Sequence, residues 1–458
     1  MSRSSLRRDR RRFLSGLAGL ACVGFGSGFG APLVGTAQAA APARAGLRSP
    51  TKVGTIALLG ALVHVGDGNV IKDGVVLIKG ERISAVGGPE LGRSLPAGAV
   101  TVDLSGKLLT PGFIASDTPL GLVEIGAEPG TRDDNGVGEG AAARPIRASY
   151  DAATAIRTRS SVIPVQAIEG ITSAAVAPSG GLISGQVAWI DLSVGAGGAL
   201  PIQPKIAVRG SIGQVIDGSR AATLAKLRQV IDDARIYRKK RGAYDRRQLR
   251  ELAAHPRDLE ALFPVLDRRV PLTLRAQSES DIAAALDLAA EEKLRLVLIG
   301  GVEAWRLRDR LAAAAVPVIV QPSQNLPRSL DQLGARLDNA ALLSAAGVEV
   351  GIAILGGPHN LRNVSQEAGI AVAHGMAWEK ALTAISLTIA RAYGMDSDYG
   401  SVSPGKIANL VSWGGDPFEH EHFAEQVYVR GAAIPMVSRQ TLLRERYRDL
   451  ERIRQHMR

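Results

Sequence analysis

Few residues in this sequence are of types that do chemistry. Seven histidines and one cysteine are spread through 458 residues, so metal ligands and nucleophiles are scarce. The candidates stand where apolar runs give way to polar ones: Asp117 after Phe113-Ile114-Ala115, Arg275 and Gln277 after Val270 to Leu274, Glu303 in Val302-Glu303-Ala304-Trp305, and His359-Asn360 after Val348 to Ile354. Paired carboxylates near an arginine can move protons without a metal, and a histidine is the commonest base at neutral pH. Asp117, Glu303 and His359 are therefore the candidate catalytic residues. Arg275, Gln277, Asn360 and Arg132 are the candidate substrate-binding residues, since guanidinium and amide groups hold anions and carbonyls. A salt-bridged rim with no catalysis is the alternative reading of the same charges. His420-Glu421-His422 has the spacing that puts two rings on one face of a strand, but it follows Asp416-Pro417 and reads as an exposed connection. Ser179-Gly180-Gly181 and Gly300-Gly301 lack the spacing of dinucleotide or phosphate fingerprints, so no cofactor is expected.

Composition narrows the partners. Hydrophobic residues at 46% and charged ones at 22% describe a chain that can bury a large core. The formal charge of +11 is partly an effect of the first 39 residues, which hold six arginines and one aspartate; without them it is +6. The basic stretch Arg235 to Arg250 carries only Tyr237 and Tyr244 as aromatics, so it reads as a solvated helix face and no nucleic acid is expected. A small-molecule ligand or substrate remains, and a homo-oligomer is compatible with the sequence.

The start of the chain has the form of an address. Arg7-Arg8-Asp9-Arg10-Arg11-Arg12 precedes a Gly/Ala-rich apolar run, and Arg10 to Leu14 reads as the RRxFL of a twin-arginine signal. Ala37-Gln38-Ala39 offers an A-x-A processing site, so residues 1–39 are expected to be a leader cleaved after Ala39, with an apolar run too glycine-rich for stable membrane insertion. The expected location is periplasmic or secreted. Cleavage would remove Cys22 and leave a cysteine-free chain without disulfides or thiolate ligands.

The elements that must position the candidates follow from texture. Between Val53 and Val102, short apolar runs are cut by Gly66-Asp67-Gly68-Asn69, Lys72-Asp73-Gly74 and Lys79-Gly80-Glu81-Arg82, which predicts a small β unit. From 108 to 395, apolar strands alternate with Ala/Leu/Arg helices. The strands are Gly112 to Thr118, Ile171 to Val176, Val187 to Leu192, Lys205 to Val208, Val270 to Leu274, Leu294 to Ile299, Val316 to Val320 and Val348 to Ile354. Eight strands with crossover helices predict the α/β class and a (β/α)8 TIM-type barrel, with active residues at the carboxyl ends of the strands. Helices are expected over Ser280 to Glu292, Val302 to Ala314 and Trp378 to Tyr393, the first with a capping box from Ser278 and Asp281. The stretch from Leu120 to Ile156 breaks the alternation and reads as a lid. The tail, 439–458, places Leu443, Tyr447, Leu450 and Met457 at helical spacing, an amphipathic helix expected to pack on the body.

The words LLTPGFI (108–114) and SVSPGKIANLV (401–411), together with Leu182-Ile183-Ser184-Gly185-Gln186 and Ala373-His374-Gly375, resemble the amidohydrolase superfamily, in particular its signal-peptide-bearing, imidazolonepropionase-like branch. The resemblance implies that 53–107 and 400–438 combine into one β-sandwich beside a barrel of 108–395. It implies hydrolysis of non-peptide or small-peptide C–N bonds. It also implies a metal held by a His-x-His pair on the first barrel strand, by histidines after later strands and by an aspartate after the last. Here those positions read Asp117 and Pro119, Arg275, Gly300 and Gly356, none of which matches the pattern. No metal site is therefore expected. The expectation is an exported amidohydrolase-like protein whose usual metal site is lost, or alternatively a non-catalytic protein that binds a small anion on the same scaffold.

Overall fold

The computed structural model describes residues 54–138, 144–194, 200–213 and 218–448. The leader 1–39 and residues 449–458 of the tail, including Leu450 and Met457, lie outside the described residues.

The strands, in chain order, are β1 (Thr55–His64), β2 (Val70–Lys79), β3 (Arg82–Gly87), β4 (Val100–Asp103), β5 (Leu108–Pro111), β6 (Phe113–Thr118), β7 (Ile171–Val176), β8 (Ile183–Asp191), β9 (Ile202–Ser211), β10 (Leu272–Ala276), β11 (Leu296–Gly300), β12 (Val318–Val320), β13 (Val350–Ile352), β14 (Leu410–Trp413), β15 (Ala424–Val429) and β16 (Ala432–Ala433). They form two sheets of eight strands each.

The first sheet takes strands from both ends of the chain, in the order β16-β15-β14-β5-β1-β2-β3, with β4 also paired to β1. Its buried face collects Leu58, Val63, Val76, Ile78, Leu109, Leu410 and Tyr428, alternate residues of neighbouring strands as a half-buried sheet requires. Leu108 to Pro111, assigned from sequence to the barrel segment 108–395, belongs here: β5 pairs with β1 and with β14. The chain changes sheets at Gly112. A Cβ there would overlap the Thr172 side chain, so the crossing needs a residue without one.

The second sheet runs in sequence order from β6 to β13 and curls around an apolar interior. It differs from the expected barrel in two ways. β8 is antiparallel to both β7 and β9, because β7 and β8 are joined by the short turn around Gly180-Gly181 with no crossover helix between them. In addition, β6 and β13 do not pair as strands; instead Gly356 N donates to Asp117 O (3.1 Å) and Ile114 N to Ile385 O (2.9 Å). The curled sheet is thus bridged by single hydrogen bonds from segments that follow β13.

Period-two alternation sorts the side chains. On β10, Leu272, Leu274 and Ala276 face the cluster shared with the surrounding helices, which places Thr273 and Arg275 on the opposite, concave side. Ile114, Val187, Trp189, Val297, Ile299 and Ile319 fill that concave side.

The helix Glu279–Glu291 begins at Ser278, whose Oγ accepts from Asp281 N (3.3 Å) and donates to Asp281 Oδ2 (2.6 Å). The helix expected over Trp378 to Tyr393 is broken into Trp378–Ala384 and Leu387–Tyr393. The break frees the Ile385 carbonyl for the edge of β6. Val302 to Ala314 likewise divides into a 3₁₀ turn, Ala304–Leu307, and a short helix, Arg308–Ala313. The tail helix Arg439–Tyr447 carries a capping box between Ser438 and Thr441; none of its described residues is buried, and it meets the body where Arg362 Nη1 donates to Gln440 Oε1 (2.8 Å). Among the described residues, no helix is long and apolar enough to cross a membrane.

Candidate functional site

The carboxyl ends of β6, β9 and β10 bring Asp117, Arg209 and Arg275 together, beside a mouth that Arg275 lines with residues following β11 and β12. The register between β6 and β7 slips between Ala115 and Thr118, so Ser116 and Asp117 form a bulge. Asp117 adopts a left-handed backbone (φ 48°), a conformation that aspartate tolerates better than most residues. The bulge turns its carboxylate into the concave side, where it is 4% exposed.

Two arginines meet it. Arg209 Nε donates to Asp117 Oδ1 at 2.9 Å, and Arg209 Nη1 donates to Ser184 Oγ at 3.0 Å. Ser184 in turn donates to Gly180 O. Burial disfavours the charge on Arg209, but the Asp117 carboxylate overcomes this by its charge and its hydrogen bond, and the guanidinium is held more firmly protonated than usual. The Arg275 Nη1 lies 3.6 Å from Asp117 Oδ2, within ion-pair range but beyond a hydrogen bond. Asp117 Oδ2 is buried with no hydrogen-bond partner. Behind the bulge, Ser116 Oγ meets Tyr393 Oη at 2.9 Å, and burial together with the Asp117 charge pushes the Tyr393 phenol far up.

The mouth continues into a cleft of about 360 Å³ lined by Arg275, Gln277, Gln321, Gln324, Asn325 and Arg328. A neighbouring hollow of about 180 Å³ shares Arg275 and Gln277 and adds Arg220, Asp281 and Asp331. Arg220 closes on Asp331 (2.8 Å), which leaves the acidic side of that hollow paired.

The other sequence candidates are dispersed. Arg132 holds Asp134 (3.3 Å), whose charge also supports Arg209 and whose Oδ2 accepts from Ser179 Oγ, so Arg132 reaches the mouth through one intermediary. Glu303 is buried and accepts from the backbone of Glu279 (2.9 Å) and Gly334 (2.7 Å), tying together two loops. His359 and Asn360 are exposed; the His359 carbonyl accepts from Gln166 Nε2, and neither side chain lines the cleft. The structure therefore brings together Asp117, Arg275 and Gln277 and leaves Glu303, His359 and Asn360 outside.

Arg209, Gln321, Asn325 and Arg328 were not singled out from the sequence. Arg209 had a signal: it is one charge within the apolar run Ile206 to Ile212, a position that demands a partner when buried. Gln321 to Arg328 read only as a polar connection.

The donor set does not fit a divalent metal. One carboxylate faces two guanidinium groups, which repel a dication, and among the described residues no three His, Cys, Asp or Glu side chains converge as ligands would. His420 and His422 instead line a separate surface hollow with Glu169 and Arg362.

Comparison with known proteins places the chain in context. The Amidohydrolase family pattern matches residues 282–438. An amidohydrolase from Thermotoga maritima MSB8 is similar in structure, with a TM-score of 0.72 at 23% identity over 83% of this chain and 99% of that one. Phenylurea hydrolase B is similar more distantly, with a TM-score of 0.50 at 17% identity over 84% of this chain and 97% of that one. No curated protein sequence matches. The matched segment begins in the helix after β10 and runs through β11 to β16, so the later part of the chain resembles the amidohydrolase family, and the fold is shared with the Thermotoga maritima amidohydrolase.

Proposed function

We propose that this protein is an exported amidohydrolase-type hydrolase that cleaves C–N bonds of small molecules at the mouth around Asp117, without the metal usual in its family. The family match over 282–438 supports the reaction class. The observation that carries the metal-free reading is Asp117 held between Arg209 and Arg275. In this reading water adds across the C–N bond to give an acid and an amine. Asp117 takes the proton of the attacking water through Oδ2, the carboxylate oxygen that no described donor occupies, and hands it to the leaving nitrogen as the C–N bond breaks. Arg275 offers a fixed positive charge to the substrate. Export rests on the basic segment Arg7 to Arg12 and on Ala37-Gln38-Ala39.

The test combines a metal assay with turnover. Purified mature protein is analysed for bound metal and incubated with N-acyl amino acids, dipeptides and cyclic amides, with and without a chelator. Hydrolysis that survives chelation and is lost in Asp117→Asn supports the reading. Stoichiometric zinc with chelator-sensitive turnover overturns the metal-free part. No hydrolysis of any substrate, with ligand binding retained, overturns the enzymatic part in favour of a binding protein. Cell fractionation with N-terminal sequencing tests export, the expected first residue being Ala40.

A further inference from the structure

The cleft beyond Asp117 is unusual in how many donors it leaves free. Arg275 and Arg328 both line it, and neither guanidinium donates a hydrogen bond to any described residue. Arg328 has no ion pair among the described residues either, although it stands within reach of the same space. Asn325 is 1% exposed and lines the cleft, yet its Nδ2 has no partner. Gln277 Oε1 is likewise buried and unpartnered, and because the two ends of an amide are interchangeable, the Gln277 side chain can present either its donor or its acceptor.

A buried amide donor without an acceptor is costly unless something arrives to accept from it. Two guanidinium forks and one amide lining a common space supply what a planar oxyanion needs; a neutral carbonyl would accept from them without meeting their charge, and a cationic group would accept from none. The carboxylates that could compete are already engaged. Asp331 is paired with Arg220, Asp117 is hydrogen-bonded to Arg209 and stands beyond hydrogen-bond range of Arg275 at 3.6 Å, and Glu367 accepts from Gln321 Nε2, Ser323 N and Ser323 Oγ. Gln321, which also accepts from Leu355 N, forms a fixed polar wall.

Resting on the reading of this mouth as the functional site, we infer that its ligands are carboxylate-bearing small molecules, the carboxylate lying between Arg275 and Arg328 and accepting from Asn325 Nδ2. The scissile or reacting part then extends toward Asp117, since Arg275 borders both the cleft and that carboxylate. The amide-lined wall of Gln277, Gln321 and Gln324 suits the polar body of such a molecule.

Calorimetric binding to the mature protein tests this with N-acetyl amino acids, their carboxamides and inorganic phosphate. The acids are expected to bind, and the carboxamides to bind about tenfold more weakly or worse, the loss of at least one charge-assisted hydrogen bond. Arg328→Gln is expected to erase that preference while leaving the thermal midpoint unchanged, because Arg328 is exposed and makes no described ion pair. Equal binding of acids and carboxamides, or an intact preference in Arg328→Gln, overturns the inference. Phosphate binding better than every acid also overturns it, since the site would then be a general anion hole. Binding of acids without turnover supports this inference while refuting hydrolysis; turnover of carboxamides in preference to acids does the reverse.

Discussion

Arg209 and Asp117 meet at 2.9 Å with side chains 8% and 2% exposed, a buried ion pair at the carboxyl end of the curved sheet. A buried pair of this kind is worth little against an apolar replacement of both partners, but removing one partner strands the other. Asp117→Asn leaves Arg209 with Ser184 and the more distant Asp134, and is expected to destabilise by about 3–5 kcal/mol. Arg209→Met leaves Asp117 with Arg275 at 3.6 Å and is expected to cost less. The double variant Asp117→Leu with Arg209→Met should recover part of the loss. Chemical denaturation of all three checks this, and single variants as stable as the parent refute it.

A second sealed cluster joins the two sheets. Asp191, at the end of β8, is 1% exposed and accepts from Ser173 Oγ (2.7 Å), Asn409 Nδ2 (3.1 Å), Tyr399 Oη (3.0 Å) and Arg430 Nη1 (2.7 Å). Asn409 and Arg430 come from the segments flanking β14 and β15, and Arg430 also grips Glu81 beside β3. Asp191→Ala removes the common acceptor of four donors and is expected to cost about 3–5 kcal/mol. Hydrogen exchange should rise first in β14 and β15, because their hold on the curved sheet is lost. Uniform exchange across both sheets speaks against this arrangement.

The stretch from Leu120 to Ile156, expected to be a lid, is fastened on several sides. Glu124 accepts from Ser160 Oγ and from Ser161 N and Oγ, Asp133 pairs with Arg157 (2.6 Å), and Leu120, Leu122 and Ile146 are buried. Burial acts to raise the Glu124 pKa, but the Ser160 and Ser161 hydrogen bonds and the Arg157 charge outweigh it and hold the carboxyl below its ordinary value. Its stabilising effect is thus full above pH 4.5 and fades as pH falls toward the folded value. Glu124→Ala is expected to hasten limited proteolysis between 125 and 138 at neutral pH, and to make that cleavage less dependent on acid. Unchanged cleavage shows that Glu124 does not fasten the loop.

Much of the curved sheet was legible because each strand is a short apolar run bounded by turn residues, and all eight proposed runs coincide with strands. Strand direction was not legible. Ile183 to Asp191 is buried throughout, so its pattern is the same whether it runs parallel or antiparallel. The limit between the sheets was set early, at Leu108 instead of Gly112, for a related reason: β5 and β6 are both apolar, and only their pairing partners tell their sheets apart. At the mouth, Asp117, Arg275 and Gln277 were marked by polar residues ending apolar runs. Arg209 lies two residues before the end of its strand and so was passed over. Asn325 and Arg328 sit on a connection whose course no periodicity predicts.

His64, at the end of β1, carries a stability effect of its own. Its ring packs at 4.5 Å against Trp378, and its Nδ1 is buried without a hydrogen-bond partner. Burial lowers its pKa below 6.5, and the nearby Glu379 and Asp416 only partly offset this. The unfolded chain therefore takes up a proton at higher pH than the folded one, so the neutral ring's contribution is full above pH 6.5 and is lost as pH falls toward the folded value. His64→Phe keeps an aromatic ring against Trp378 and removes the proton site. Denaturation midpoints measured from about pH 7 down to about pH 5.5, above the range where ordinary carboxylates titrate, should fall more steeply in the parent than in His64→Phe. Parallel curves would mean that the His64 imidazole is as readily protonated in the folded chain as in the unfolded one, and the burial argument would fail.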